Sequence, residues 1–281
     1  MPPTTLETIT LVSGSAGAGS RAHLAPSRGG MLTRFEVGGR SVLYLDEATL
    51  LDATKNVRGG NPVLFPSPGP LAGERFARGG KAGAMKQHGF ARNLAWSARD
   101  RGDDAVTLAL EADDATRAQY PWDFALAYRY SLSGATLRID QRIENRGREP
   151  LPFAAGFHPY FLVPDADKKA ARIPTGATRG WDNVGKQVVG VGPIDLSAKE
   201  VDLHLFDHGA DEATLHLADG ARVVVRASPQ YRRWVIWTLA GKDFVCLEPW
   251  TAPADALNTG DGLIEVAPGA AVDLFVSFTL A

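Results

Sequence analysis

The chain has 281 residues, of which 44% are hydrophobic and 22% are charged. These are ordinary values for a globular protein that buries a substantial core, so the composition excludes a disordered chain. The 30 basic and 32 acidic side chains nearly cancel, which leaves no global positive field to attract nucleic acid or an anionic membrane. We therefore predict neither a nucleic-acid partner nor a membrane partner.

The single Cys246 leaves no partner for an intrachain disulfide. Residues 1–13 lack the basic start and long apolar run of a secretory signal, and no apolar stretch is long enough to cross a bilayer. These features predict a cytoplasmic protein. Because β sandwiches of this length often form one domain and no compositional break divides the chain, residues 1–281 are predicted to be a single domain.

In the first half of the chain the apolar residues recur with a period of two. They alternate on both sides of Gly38-Gly39, which predicts a tight hairpin because consecutive glycines tolerate the positive φ angles of its turn. The segments 106–110, 124–132 and 137–143 continue the alternation. Such segments are typical of half-buried strands with one face on the core and one toward solvent.

The second half repeats the pattern. Asp219-Gly220 lies between alternating apolar segments and predicts another hairpin, and residues 272–280 alternate to the end. No window carries an apolar stripe at helical spacing over three turns, so we expect at most one short helix, at residues 165–172. The prediction is an all-β, mainly antiparallel domain whose sheets stack as one extended sandwich.

The segment 156–161, GFHPYF, places one histidine among three aromatics and a proline. Pro159 favours an extended backbone at His158, and the aromatics would cover one side of its ring. An imidazole presented in this way can exchange protons near neutral pH. Taken alone, however, a lone histidine in an apolar run is more often a core residue with satisfied hydrogen bonds.

The segment 243–250, DFVCLEPW, is a strand-like apolar run that includes a carboxylate near its end. Glu248 shares parity with Phe244 and Cys246, which places it on an apolar face where an unpaired charge is costly. A structural salt bridge is one explanation for it. The other is chemistry, since a histidine and a carboxyl group that face one substrate can serve as acid and base. Trp250 beside it offers the kind of flat apolar surface on which sugar rings stack, although a tryptophan at the end of a strand is also common core material.

Two further segments combine glycine with hydrogen-bonding side chains. In residues 58–66, RGGNPVLFP, the glycines let the backbone approach a ligand closely. In residues 87–93, QHGFARN, the polar cluster suits a polyhydroxylated or anionic ligand. A solvated surface loop that binds no ligand is the other explanation for this cluster. The six histidines show no spacing typical of a metal site, so we predict no metal and no cofactor.

These segments together resemble one known family. The motifs at 157–161, 87–92 and 247–250, with DALNTG at 255–260, are similar to those of the aldose 1-epimerase (galactose mutarotase-like) family and stand in the same order. The resemblance spans nearly the whole chain. It implies a large antiparallel β supersandwich with its site in a cleft on the sheet.

The resemblance also implies roles for individual residues. His158 matches the family's general acid and Glu248 its general base, while His88 and Arg92 match residues that bind the sugar. A substrate-binding aspartate is expected downstream of the catalytic histidine, and Asp182 is our choice for it. No cofactor is implied, and the implied partner is a small-molecule sugar.

The chain departs from the family pattern at one place. Many members that act on free sugars have an Asn-Arg pair after the Phe-Pro dipeptide, where this chain reads Gly69-Pro70. Arg58, with the glycines after it, and the segment 87–93 instead resemble the hexose-6-phosphate mutarotases, whose arginines at both positions line a phosphate. The segments 248–250 and 255–260 are more similar to the free-sugar branch.

The resulting hypothesis is an enzyme that interconverts the α and β anomers of an aldose. In it Glu248 takes the proton of the C1 hydroxyl while His158 protonates the ring oxygen. The alternatives are a hexose-6-phosphate mutarotase and a non-catalytic sugar-binding or sensing protein. A glycoside-cleaving domain is less favoured because that chemistry usually uses two carboxylates. The sequence leaves open which aldose is used, and we expect a monomer or weak dimer.

Overall fold

The computed structural model describes residues 6–15 and 19–281. The sequence prediction for residues 1–13 falls partly on residues 1–5, which lie outside the described residues. The described strands are β1 (Ile9–Ser13), β2 (Ser20–Ala25), β3 (Met31–Val37), β4 (Arg40–Ser41), β5 (Val63–Leu64), β6 (Arg75–Arg78), β7 (Lys81–Ala84), β8 (Ser97–Arg99), β9 (Ala105–Glu111), β10 (Phe124–Ser133), β11 (Thr136–Asn145), β12 (Leu151–Phe153), β13 (Gly156–Phe157), β14 (Tyr160–Leu162), β15 (Arg179–Asp182), β16 (Gln187–Gly190), β17 (Glu200–Leu205), β18 (Glu212–His216), β19 (Arg222–Ala227), β20 (Arg233–Leu239), β21 (Phe244–Trp250), β22 (Ile264–Val266) and β23 (Ala271–Leu280).

Helices are few and short in this part of the chain. The α-helices are α1 (Glu47–Leu51), α2 (Asp114–Gln119) and α3 (Ala256–Thr259), and 3₁₀ turns lie at Ala72–Glu74, Ala91–Asn93 and Asp165–Asp167. None of these helices is long and apolar enough to span a membrane. The helix predicted at 165–172 is reduced to the 3₁₀ turn at its start. The three α-helices are too short to leave a periodic apolar stripe in the sequence.

Two large antiparallel sheets dominate the fold. One has seven strands in the order β18-β19-β23-β11-β10-β9-β8, and the other has eight strands, β16-β15-β17-β20-β21-β13-β5 with β14 also paired to β21. A four-stranded sheet β1-β2-β3-β4 and two small pairs, β12-β22 and β6-β7, complete the architecture. All strand ladders in the described residues are antiparallel, which confirms the predicted fold class.

The core lies between the two large sheets. The rings of Phe161 on β14 and Phe278 on β23 meet at 5.6 Å, and those of Tyr128 on β10 and Phe157 on β13 at 6.1 Å. All four side chains are buried in one apolar cluster that draws on both sheets. This face-to-face packing makes the molecule a large β sandwich, and it leaves the other face of the eight-stranded sheet free to form a site.

The two predicted hairpins are present. Gly38 and Gly39 have φ of 57° and 79° and join β3 to β4 directly, as a two-residue turn requires. Asp219-Gly220 lies in a slightly longer connection, because the N–H of Leu217 still donates to the carbonyl of Ala221 beyond the last strand pair.

Candidate active site

The free face of the eight-stranded sheet forms the floor of a cavity of about 690 Å³. Strand register decides which side chains point into this cavity, because directly paired residues share a face and alternate residues of a strand return to that face. Three neighbouring rows of side chains, each formed by residues side by side on adjacent strands, cross the sheet and line the cavity. The first row contains Asp202, Trp237 and Tyr160, the second Trp181, His204, Val235 and Glu248, and the third Phe206, Arg233 and Trp250.

Glu248 lies near the end of β21, and only 1% of its surface is exposed. Its Oε2 atom accepts a hydrogen bond of 3.0 Å from the indole N–H of Trp250, two residues further along the same face. This contact fixes the carboxyl group and leaves Oε1 directed at His158. The parity argument from the sequence therefore placed Glu248 on the correct side of its strand.

His158 follows β13, which pairs with β21 at Gly156 and Trp250. That pairing brings the imidazole beside the glutamate, with 3.4 Å between His158 Nε2 and Glu248 Oε1. The ring stacks on Tyr160 at 4.7 Å and meets the edge of Trp237 at 5.6 Å. Packing thus holds the ring, and its Nδ1 atom has no hydrogen-bond partner among the described residues.

The environment shifts both groups toward their neutral forms. Burial, together with the positive charges of Arg92 and Arg58, lowers the pKa of His158 to about 3. Burial also raises the pKa of Glu248 well above its ordinary value, against the opposing hydrogen bond from Trp250. The pair therefore holds one proton, on the carboxyl group, over the range between these two pKa values. Its transfer to His158 would give the ion pair with the same proton count.

His88 is buried at the wall of the cavity. Its Nδ1 atom accepts a hydrogen bond of 3.0 Å from the N–H of Gly69, so the proton of the neutral ring lies on Nε2. The group 3.1 Å from Nε2 is the amide nitrogen of Gln87, which cannot accept that proton. Burial, together with the positive charges of Arg92 and Arg58, lowers the pKa of His88 well below its usual range. A neutral His88 can therefore donate one hydrogen bond from its Nε2.

Gly69 explains what this chain has in place of the expected Asn-Arg pair. Its φ is +72°, and an added Cβ would lie 2.7 Å from the Cβ of Ala254 and 3.2 Å from the Trp250 ring. Only glycine fits such a left-handed, crowded position without strain. The loop therefore packs against the Trp250 side of the cavity and supports His88 through its backbone.

Arg92 and Arg58 both line the cavity. Arg92 donates from Nη2 to the carbonyl of Gln87 at 2.8 Å, and its buried Nε has no hydrogen-bond partner among the described residues. Arg58 lies over the Trp237 ring with its guanidinium carbon 5.8 Å from the ring centre. Within residues 6–15 and 19–281 neither guanidinium forms an ion pair with a carboxylate. The cavity thus presents two uncompensated positive charges.

The structure does not bring Asp182 to the cavity. Asp182 pairs with Leu203, whose side chain packs on the core, so its carboxylate leaves the strand on the other face. Its Oδ1 accepts hydrogen bonds from the backbone N–H groups of Val184 and Gly185 and holds the turn between β15 and β16.

Asp202, which sequence reasoning missed, supplies a carboxylate on the cavity floor. His204 Nε2 lies 3.1 Å from its Oδ1, and Asn183 donates to its Oδ2 at 2.6 Å. Burial opposes ionisation of this group, but these two hydrogen bonds prevail and lower the pKa of Asp202. The available signal was the alternation of Asp202 and His204 with leucines in β17, a strand with polar residues on one face.

The chain is similar in sequence and in structure to known proteins. The family model described as Aldose 1-epimerase matches residues 16–279. The structure of the Slr1438 protein from Synechocystis sp. PCC 6803 is similar with a TM-score of 0.94 and 35% identity, over 100% of this chain and 98% of that one. A galactose mutarotase-like protein from Lactobacillus casei shares the fold, with a TM-score of 0.81 and 22% identity over 98% of this chain and 100% of that one.

One curated relative extends the comparison to sugar phosphates. A Salmonella typhimurium protein named "Putative glucose-6-phosphate 1-epimerase" is 31% identical over 149 residues, which are 52% of this chain and 46% of that protein. The matched part of this chain thus spans about half the length of that relative.

Proposed function

This chain belongs to the aldose 1-epimerase family, and we propose that it interconverts the α and β anomers of an aldose. The observation that carries the proposal is the contact of 3.4 Å between His158 Nε2 and Glu248 Oε1 on the floor of a sugar-sized cavity. An acid and a base at this separation can face the ring oxygen and the C1 hydroxyl of one sugar. Binding alone would need neither of them.

The reaction conserves the protons of the pair. In the ion-pair form, Glu248 takes the proton of the C1 hydroxyl and His158 gives its proton to the ring oxygen. The bond between C1 and the ring oxygen breaks, and an open-chain aldehyde forms. The pair is then in its neutral form, which burial favours. Rotation about the C1–C2 bond turns the carbonyl, and the reverse transfers close the ring as the other anomer.

The remaining polar groups would orient the sugar. His88 donates from Nε2, and Asp202, held by Asn183 and His204, accepts from sugar hydroxyls. We propose Asp202 for the substrate-binding role that the sequence predicted for Asp182. Trp237 and Trp181 supply flat apolar surfaces along the cavity.

A sugar phosphate is a second candidate substrate, favoured by Arg58 and Arg92. Both line the cavity and neither is paired with a carboxylate in the described part of the chain, so their charges are available to an anion. Arginine suits phosphate because each guanidinium can donate several hydrogen bonds. The curated relative named for glucose 6-phosphate agrees with this candidate.

Polarimetry or NMR of anomer exchange tests the proposal, with glucose, galactose and glucose 6-phosphate measured side by side. We expect at least one sugar to exchange faster than it does spontaneously. If none is accelerated, a sugar-binding protein of the same fold is the better description. The cytoplasmic location, the single domain over residues 1–281 and the monomeric or weakly dimeric state remain predictions from the sequence.

A further inference from the structure

The pair of His158 and Glu248 has a third neighbour that sugar chemistry does not use. Cys246 is two residues before Glu248 on the same face of β21, and one ligand atom from each of the three side chains lies within 4.8 Å of the others. We propose that these three side chains form a site for a thiophilic divalent cation, with Zn²⁺ as the fitting ion, and that the bound ion excludes the sugar.

The separations suit zinc. Zinc bonds of about 2.0–2.3 Å place neighbouring tetrahedral ligands about 3.4 Å apart for nitrogen and oxygen, and about 3.6 Å apart when one ligand is sulfur. His158 Nε2 and Glu248 Oε1 already lie at 3.4 Å. The sulfur of Cys246, within 4.8 Å of both ligand atoms, needs to approach by roughly 1 Å, within reach of a side-chain rotation.

The ligand atoms already meet at one point, and displacement of one shared proton would free them for a cation. Trp250 donates to Oε2 of Glu248, whereas Oε1 is the carboxyl oxygen that meets the His158 imidazole. The Nδ1 atom of His158 is buried and has no hydrogen-bond partner in the part of the chain that the structure describes, so no such bond there ties the ring to another function. Burial makes an unpaired carboxylate costly, which is why Glu248 holds a proton, and a divalent cation would take the place of that proton. On binding, the thiol proton and the proton held by the His158 and Glu248 pair would both pass to water.

The fourth position of the ion would open into the cavity, because His158 and Glu248 line it while Cys246 lies behind them. Three protein ligands with an open position are compatible with tetrahedral zinc. The ion would engage the atoms of Glu248 and His158 that exchange protons with the sugar, so it would inhibit the epimerase. This inhibitory consequence rests on the proposed function, whereas the binding itself does not.

Cobalt titration of the metal-free protein tests the binding without any assay of activity. Co²⁺ bound by a thiolate gives a sulfur-to-cobalt charge-transfer band, and Cys246 is the only cysteine in the sequence, so a band can arise from this site alone. We expect the band to appear with one equivalent of Co²⁺ and to disappear when Zn²⁺ is added. Absence of the band in folded protein would overturn the proposal.

Two variants locate the zinc by calorimetry. Cys246→Ser should weaken Zn²⁺ binding by about tenfold or more, since a soft ligand is lost. His216→Gln removes a histidine outside the cavity and should leave the affinity unchanged. Equal affinity in wild type and Cys246→Ser would mean that zinc binds elsewhere. If Co²⁺ binds but anomer exchange is absent for every sugar tested, the metal site stands and the proposed function fails.

Discussion

The indole N–H of Trp250 donates to Oε2 of Glu248 at 3.0 Å, from a residue two positions along the same strand. This bond favours the ionised carboxylate and opposes the effect of burial on its pKa. Trp250 is therefore a positioning residue for the proposed base as well as part of the cavity wall.

Trp250→Phe should remove that bond and keep most of the packing. The loss of a hydrogen bond to a charged group, worth about 1.5–3 kcal/mol, should lower kcat by roughly tenfold or more. It should also move the alkaline limb of the pH profile to higher pH, because the pKa of Glu248 would rise further. A pH series of anomer exchange measures both effects. A lower kcat with an unshifted alkaline limb would indicate only a packing defect.

The pair itself predicts an unusual pH profile. His158 has a pKa near 3 and the pKa of Glu248 is raised, so the form with one shared proton persists from acid to beyond the ordinary carboxyl range. We expect kcat/KM to stay level as the pH falls from 7 to about 5, where an ordinary histidine would already have titrated. A limb near pH 6.5 in folded enzyme would contradict the pKa assigned to His158.

Removal of either proton-transfer group, Glu248 or His158, should sharply lower turnover. Glu248→Gln and His158→Ala should each lower kcat by about a hundredfold or more, because each deletes one partner in the proton relay. Circular dichroism checks that the variants fold. Near-normal turnover in folded Glu248→Gln would reject the assignment of the base.

Asp202 and Asp182 offer a matched pair of isosteric changes. Asp202→Asn should raise KM about tenfold, since a charged acceptor on the cavity floor becomes neutral. Asp182→Asn should leave sugar kinetics unchanged, because its Oδ1 serves the backbone of a turn and an amide oxygen can do the same. Steady-state kinetics on one sugar compare them. A larger effect at Asp182 would restore the role predicted from the sequence.

The arginines distinguish the substrate classes. If the two arginines bind a phosphate, Arg92→Ala should weaken the binding of a sugar phosphate by roughly ten- to a hundredfold, while the binding of the parent sugar changes much less. Arg233→Ala, in the same cavity but already paired with Asp261 at 3.3 Å, is the control and should not discriminate. Equal losses on both substrates at Arg92 would show that it contacts hydroxyl groups.

Glu248 should also limit stability at high pH. Its folded-state pKa is raised, so its contribution is fully present below its ordinary pKa of 4.5 and is lost as the pH rises through the raised value. Glu248→Gln does not titrate and keeps an oxygen for Trp250. Between the ordinary and the raised pKa, the free energy of unfolding of the variant should therefore rise relative to that of wild type by about 1.4 kcal/mol per pH unit. Urea unfolding at several pH values measures this, and a constant difference would contradict the raised pKa.

The sequence alone determined the fold class and the pair of residues at the centre of the site. Alternation with period two is a local property, and it identified the longer strands β9, β10, β11 and β23 and the face on which Glu248 lies. The motifs around His88, His158 and Glu248 also identified the family, because their order and types are visible without any contact. The short helix α2, with its cap at Asp113, was missed because one and a half turns leave no periodic signal.

Only the tertiary structure decided which polar faces meet the cavity. Asp182 and Asp202 look equally suitable in sequence, but the register of β15 on β17 turns one carboxylate toward a hairpin and the other toward the cavity. The contact of Gly69 with His88 and that of His158 with Glu248 join residues far apart in the chain. The opposite pKa shifts arise from burial, which depends on packing that no local pattern contains.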